Sequence, residues 1–211
     1  LIRESGVNIT TICADYFLHK KLFRENQDEL KENIVILKTL IKQANKLDIK
    51  IIEIPFVDNS SLRTLEDKQE LMNNLEYVIP IIEENEIKIA LETDLPPEKL
   101  RDMVAEINHP NILLNYDVGN STSNGFDIKT EWKILNDLII SVHIKDRKIG
   151  GTTVPLGTGD VDFKIFFESL KKYGFSNDLI IQGAREDLDS KKILVGETCK
   201  KYFGFVKQYL D

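Results

Sequence analysis

The sequence predicts an α/β fold built on a parallel sheet, and three observations carry that reading. Short apolar runs alternate with amphipathic helical stretches along the whole chain. The runs are close to continuously apolar, as in strands covered on both faces. Several of them close on a polar side chain able to ligate a metal.

The elements follow in order. Residues 1–6 read as the end of a helix stopped by Gly6, and the chain opens on Leu-Ile-Arg, so its natural beginning is expected to be missing. The first strand is expected over 8–14. A helix follows over 27–47, where Leu30, Ile34, Leu37, Ile41, Ala44 and Leu47 recur at three- and four-residue steps in one stripe. The second strand is 49–55. Leu71, Leu75, Val78, Ile79 and Ile82 mark the next helix, which Pro80 should kink or break. Strand 87–93 leads to a helix opened by Pro96 and Pro97 and marked by Leu100, Met103, Val104 and Ile107. Strands at 112–118 and Ile139–Ile144 come next. A helix over 162–173 takes Asp160 or Asp162 as its cap and Gly174 as its stop. The strand at 179–182 precedes a closing helix over 191–210, capped by Ser190.

Such alternation implies parallel pairing through right-handed crossovers. Six strands suit a doubly wound open sheet as well as a barrel, but no GxGxxG follows the first strand and no Walker loop is present. No linker or repeat divides the chain, so residues 1–211 read as a single domain.

Composition removes several function classes. A net charge of -7 argues against nucleic-acid binding, which needs a basic stripe against the phosphates, while leaving room for a small anionic substrate. Cys13 and Cys199 form neither a disulfide framework nor a CxxC motif, which makes a reducing cytoplasm the default compartment. No apolar run approaches the roughly 20 residues of a membrane span, so no membrane partner is expected.

The informative regularity lies at strand ends. Ile-Ala-Leu-Glu92, Leu-Leu-Asn-Tyr-Asp117, Ser-Val-His143 and Ile-Ile-Gln182 each close an apolar run with a candidate ligand. If the strands form a parallel barrel, those carboxyl ends converge on one face. Glu, Asp, His and a Gln oxygen make a mixed nitrogen and oxygen set suited to one divalent ion such as Mn²⁺, Mg²⁺, Zn²⁺ or Co²⁺. The spacings of 25 and 26 residues between the first three fit one βα unit each; the 39 residues to Gln182 include a Gly-rich loop. Each residue also has a plainer role. His143 can be a satisfied structural residue, Asp117 can start a turn, and Glu92 can cap the helix at Pro96.

Glu53 in Ile-Ile-Glu-Ile-Pro-Phe, Glu92, Tyr-Asp-Val-Gly-Asn, His-Ile-Lys-Asp-Arg and Pro-Leu-Gly-Thr-Gly-Asp-Val-Asp-Phe resemble the xylose isomerase-like superfamily of sugar-phosphate isomerases and epimerases. The resemblance covers essentially the whole chain. It implies a parallel (β/α) TIM barrel lacking its first two βα units, with six strands present. It also implies one divalent metal on Glu92, Asp117, His143 and Gln182. Two positions depart from the family pattern. The fourth ligand is usually Glu, and the residue three after the metal Asp is His in the ketose 3-epimerases, where this chain has Gln182 and Asn120.

The resemblance implies proton abstraction beside a carbonyl of a sugar or sugar phosphate, through an enediolate, with Glu92 as base. Epimerisation needs a second proton carrier, and Gln182 cannot titrate. That shifts the expectation towards isomerase, unless Glu53 or Glu186 supplies the acid. Lys145, Arg147, Lys148 and Arg185 cluster after two strands, and the loop at Gly157 and Gly159 can offer backbone N–H groups to a phosphate. The plainer reading is a solvated rim paired with Asp146, Asp160, Glu186 and Asp187. A lyase or dehydratase on the same scaffold, a non-catalytic relic and, less well supported, an abasic-site endonuclease are the competing functions. An incomplete barrel would expose two strand edges and core surface, so disorder near the amino end or a covering partner, including a second copy in a homo-oligomer, is expected.

Overall fold

A computed structural model describes residues 4, 6–184 and 195–210. The chain divides into two compact units, residues 1–114 and 115–211, and the boundary falls inside a strand. In the first unit, Thr11–Cys13 (β1), Ile51–Phe56 (β2), Lys88–Thr93 (β3) and the start of Ile112–Asp117 (β4) lie in the order β1-β2-β3-β4, all parallel. In the second unit the end of β4, Ile139–Ile144 (β5) and Leu179–Ile181 (β8) continue as β4-β5-β8. A two-residue antiparallel ribbon, Asp146–Arg147 (β6) with Thr153–Val154 (β7), follows β5. The six parallel strands with intervening helices match the α/β reading.

Most helices begin and end where local chemistry dictates. Gln27–Lys46 (α1) starts at Asn26, whose side chain accepts from the Asp28 and Glu29 amides, and buries Leu37, Ile41 and Ala44 on one face. The expected break at Pro80 is real. Leu65–Glu76 (α2) ends before it, and Ile79–Glu84 (α3) carries the proline in its first turn, where a missing N–H is harmless. Helix α2 begins earlier than the apolar pattern implies, because Thr64 and Asp67 form a capping box. Pro97–Ile107 (α4) ends on Asn108, which adopts the left-handed conformation with φ 48°. Phe163–Tyr173 (α7) is capped by Asp162 and stopped by Gly174 at φ 68°. Asp160 instead accepts from the Ile149 amide and Lys148.

Three features differ from expectation. Strand β1 spans three residues rather than 8–14, since pairing with β2 is confined to Thr11–Cys13 and a 3-10 turn at Asp15–Leu18 follows. Val118 opens the short helix Val118–Ser123 (α5) rather than ending a strand, because the Asp117 carboxylate accepts from the Asn120 amide and turns the chain. Ile128–Leu135 (α6), capped by Asp127, was not among the expected elements. The closing helix is described as Val195–Leu210 (α8); its expected cap Ser190 and residues 191–194 lie outside the described residues, as do residues 1–3 of the expected opening helix end.

The first unit packs Phe17, Phe23, Ile52, Ile54, Phe56, Leu71 and Leu75 into its core, and each is almost fully buried. The second is aromatic. Tyr116 meets Trp132 edge-on at 5.5 Å between ring centroids, and Trp132 meets Phe175 in the same way at 5.8 Å. No helix among the described residues is long and apolar enough to cross a membrane.

Candidate active site

In the first unit, strand register places the acidic residues. Glu53 lies opposite Cys13 on one side and Ala90 on the other. Side chains alternate faces along a strand, so Glu92, two residues beyond Ala90, shares the face of Glu53. The flanking Ile52 and Ile54 fill the opposite face. Both glutamates are buried, and a carboxylate oxygen of each lies within 4.8 Å of the other. Two buried carboxylate oxygens this close form a pair of the kind that can take a cation. Helix α4 has no side-chain cap, so Glu92 does not spend itself there. Cys13, not among the expected site residues, directs its sulfur at Glu53 (3.5 Å) and Asp15 (3.2 Å). Desolvation and the Glu53 carboxylate push its thiol above the ordinary range, although part of the residue faces solvent.

In the second unit, Asp117 is buried and fully engaged. Oδ1 accepts from the Asn120 amide at 2.8 Å and Oδ2 from Lys145 Nζ at 2.9 Å, with His143 Nδ1 3.8 Å from Oδ2. Burial would raise its carboxyl; the His143 imidazole and the Lys145 ammonium outweigh it and hold the group below the ordinary carboxylate value. The turn-forming role proposed for Asp117 is therefore real and coexists with its place beside His143. His143 pairs with Ile180 across β5 and β8, so Gln182, two residues on, shares its face. The Gln182 backbone N–H donates to the Ile144 carbonyl at 2.9 Å, while its buried side-chain Oε1 has no hydrogen-bond partner among the described residues.

The expected cationic rim resolves differently residue by residue. Lys148 pairs with Asp160 at 3.0 Å at the surface, as the plainer reading holds. Arg147 is a clamp: Nε and Nη2 donate to the Gly151 carbonyl and Nη1 to Asn120 Oδ1 at 2.8 Å. Gly157 and Gly159 were expected to offer their amides to an incoming anion, and here both donate to Asp146 Oδ2, at 2.9 and 2.8 Å. The anion they cradle is internal, because Asp146 is buried and needs those donors. Arg185, Glu186 and Asp187 lie outside the described residues.

A profile of the xylose isomerase-like TIM barrel family matches residues 1–194. The chain belongs to the xylose isomerase-like TIM barrel family. Among curated relatives, it is 25% identical over 205 residues to the L-ribulose-5-phosphate 3-epimerase UlaE of Shigella flexneri serotype 5b, covering 94% of this chain and 72% of that one. Among solved structures, D-psicose 3-epimerase superposes with a TM-score of 0.80 at 13% identity, over 99% of this chain and 80% of that one. The IOLI protein with a bound zinc atom superposes with a TM-score of 0.78 at 18% identity, over 99% of this chain and 91% of that one. These structural matches fix the fold as that of the (β/α) TIM barrel, and the main sheet of this chain has six strands among the described residues.

Membership in the xylose isomerase-like family makes a divalent ion the group to test, and each unit by itself holds donors of the kind such an ion takes. Glu53 and Glu92 supply close buried oxygens in one unit, and Asp117, His143 and Gln182 supply oxygen and nitrogen donors in the other. Gln182 Oε1, without a hydrogen-bond partner among the described residues, is a neutral oxygen of the kind a hard cation accepts.

Proposed function

We propose that the chain is a metal-dependent epimerase or isomerase of a sugar or sugar phosphate, most closely a ketose 3-epimerase. Its divalent ion would be held by Glu92, Asp117, His143 and Gln182. The observation that carries the reading is the buried Glu53–Glu92 pair on adjacent strands, within 4.8 Å. Its relation to a UlaE 3-epimerase supports the substrate class.

When bound, the ion would act as a Lewis acid on an α-hydroxy carbonyl substrate. The remaining work belongs to side chains of this protein. Glu92, ionised, removes the acidified proton next to the carbonyl. For epimerisation a proton must return on the opposite face, and Glu53 is the neighbouring titratable group able to carry it. Gln182 cannot, because an amide neither gains nor loses a proton near neutral pH. Asn120 and Lys145 are the substrate-contacting candidates in this reading, whereas Arg147, Gly157 and Gly159 would act through the geometry of their loops; Arg185 completes the proposed substrate set.

A second reading, aldose–ketose isomerisation, is favoured by one observation: Gln182 replaces the carboxylate that a two-base mechanism would use, and one base on one face suffices for a cis-enediol.

The test uses the full chain with Mn²⁺, Mg²⁺, Zn²⁺ or Co²⁺ and a panel of ketoses and ketose 5-phosphates in D₂O, followed by NMR. Metal-dependent deuterium uptake at C3 with a C3-inverted product is the expected result. An aldose product would select the isomerase, loss of water a dehydratase. A protein that binds none of these ions and exchanges no substrate proton would overturn the enzymatic reading in favour of a relic.

A further inference from the structure

Lys145 follows the last residue of β5, with its side chain folded back across Gly119. A Cβ at Gly119 would lie 2.8 Å from Lys145 Cγ and 2.9 Å from its Cβ, so only glycine leaves room for the stem to pass. The path delivers the ammonium to Asp117 Oδ2 at 2.9 Å and to Asn120 Oδ1 at 3.4 Å. Lys145 is largely buried and Asp117 almost wholly so, which makes this an ion pair in a poorly screened setting rather than a surface contact. Arg147 holds the same Asn120 oxygen from the other side at 2.8 Å.

We propose that Lys145 is a resident counter-cation of Asp117 that sets how tightly this centre accepts a divalent ion. The inference rests on the reading of Asp117 as a metal ligand. Asp117 needs compensation for its buried charge when the centre holds no ion, and the ammonium supplies it. An arriving cation meets that ammonium as a competitor for Oδ2 and as a like charge nearby. Two effects of removing Lys145 oppose one another. Losing the competitor strengthens ion binding; losing a partner loosens Asp117. The first wins, because the Asn120 amide keeps Oδ1 fixed at 2.8 Å and the strand end fixes the backbone, whereas like-charge repulsion in a buried setting is large. Lys145 is thus a positioning residue that trades metal affinity for a preformed, neutralised centre.

The experiment is Mn²⁺ titration of the full chain by calorimetry, with bound Mn²⁺ counted by electron paramagnetic resonance, in wild type and the Lys145→Met, Lys145→Arg and Asp117→Asn variants. Wild type should bind one ion, Lys145→Met about tenfold or more tighter, Lys145→Arg close to wild type, and Asp117→Asn at least tenfold weaker. Gly119→Ala, which displaces the stem without touching either charge, should move affinity in the direction of Lys145→Met; circular dichroism checks that each variant is folded. Equal or weaker binding by folded Lys145→Met overturns the counter-cation role while leaving the metal site standing. Absence of Mn²⁺ binding in wild type and Lys145→Met alike overturns the metal reading itself, and this inference with it.

Discussion

Tyr116 donates a 2.8 Å hydrogen bond to Glu131 Oε2 inside the second unit, and Ser121 donates to the same oxygen. All three are buried. Burial is the largest influence on Glu131 and pushes its carboxyl from the ordinary 4.5 up to about 7, against the pull of the two hydrogen bonds. The folded value exceeds the unfolded one, so this group's contribution to stability is complete below pH 4.5. As pH rises through about 7, the unfolded chain has already released its proton and the folded chain is forced to follow, and the contribution is lost. The free energy of urea unfolding should therefore fall between pH 5 and pH 8 by up to about 3 kcal/mol. Glu131→Gln should flatten that slope. An unchanged slope in the variant would place the titration elsewhere.

Asp146 is the anchor of the 155–161 loop. Its carboxylate accepts from the Gly157, Gly159 and Val161 amides, and a Cβ on Gly159 would sit 1.9 Å from Asp146 Oδ1 and 2.7 Å from the Arg147 carbonyl oxygen. Asp146→Ala strands three backbone donors, at a cost of about 2–4 kcal/mol. Gly159→Ala should cost a similar amount by steric displacement of the loop. Hydrogen exchange at residues 157–161 should accelerate in both variants while exchange in helix α1 stays unchanged; protected loop amides in Asp146→Ala would refute the anchor.

The alternation of elements was legible because apolar periodicity and strong caps coincide. Asn26, Asp162 and Gly174 act locally, and so does the Pro80 break. Helix α6 was missed although Ile128, Trp132 and Leu135 lie at four- and three-residue steps behind Asp127, because the run is only eight residues long. The placement of Glu92, Asp117, His143 and Gln182 at or next to strand ends was legible from the apolar runs they close. The partners of the loop were not: whether Gly157 and Gly159 face a substrate or Asp146 is decided by a tertiary contact 11 to 13 residues back in the chain, which no local pattern encodes. The same holds for the apposition of Lys145 and Asp117, 28 residues apart.

Gln182 offers a direct test of the proposed ligand set. Its Oε1 is buried and without a hydrogen-bond partner among the described residues, so replacing the amide by a carboxylate adds charge where a cation is expected. Gln182→Glu should bind Mn²⁺ about tenfold tighter and raise epimerase turnover relative to isomerase turnover. In the absence of metal the same variant should be less stable above pH 7 than wild type, since a buried carboxylate then lacks a counter-charge. A native enzyme that epimerises efficiently with Glu92 as its sole essential carboxylate would remove the significance attached to this position.

Glu92 and Glu53 are neighbours with separable roles, and isotope exchange can tell them apart. If Glu92 takes the proton and Glu53 returns one on the opposite face, Glu92→Gln loses both exchange and inversion, by about a hundredfold or more. Glu53→Gln should behave otherwise. Glu92 can still remove the proton and return a deuteron to the same face, so substrate should gain deuterium in D₂O while yielding little inverted product. Counting bound Mn²⁺ in each variant keeps a lost ion from passing for a lost base. Equal loss of exchange and inversion in Glu53→Gln, with the ion still bound, would mean that the pair works as one proton-sharing unit, the other arrangement that two buried carboxylates within 4.8 Å permit.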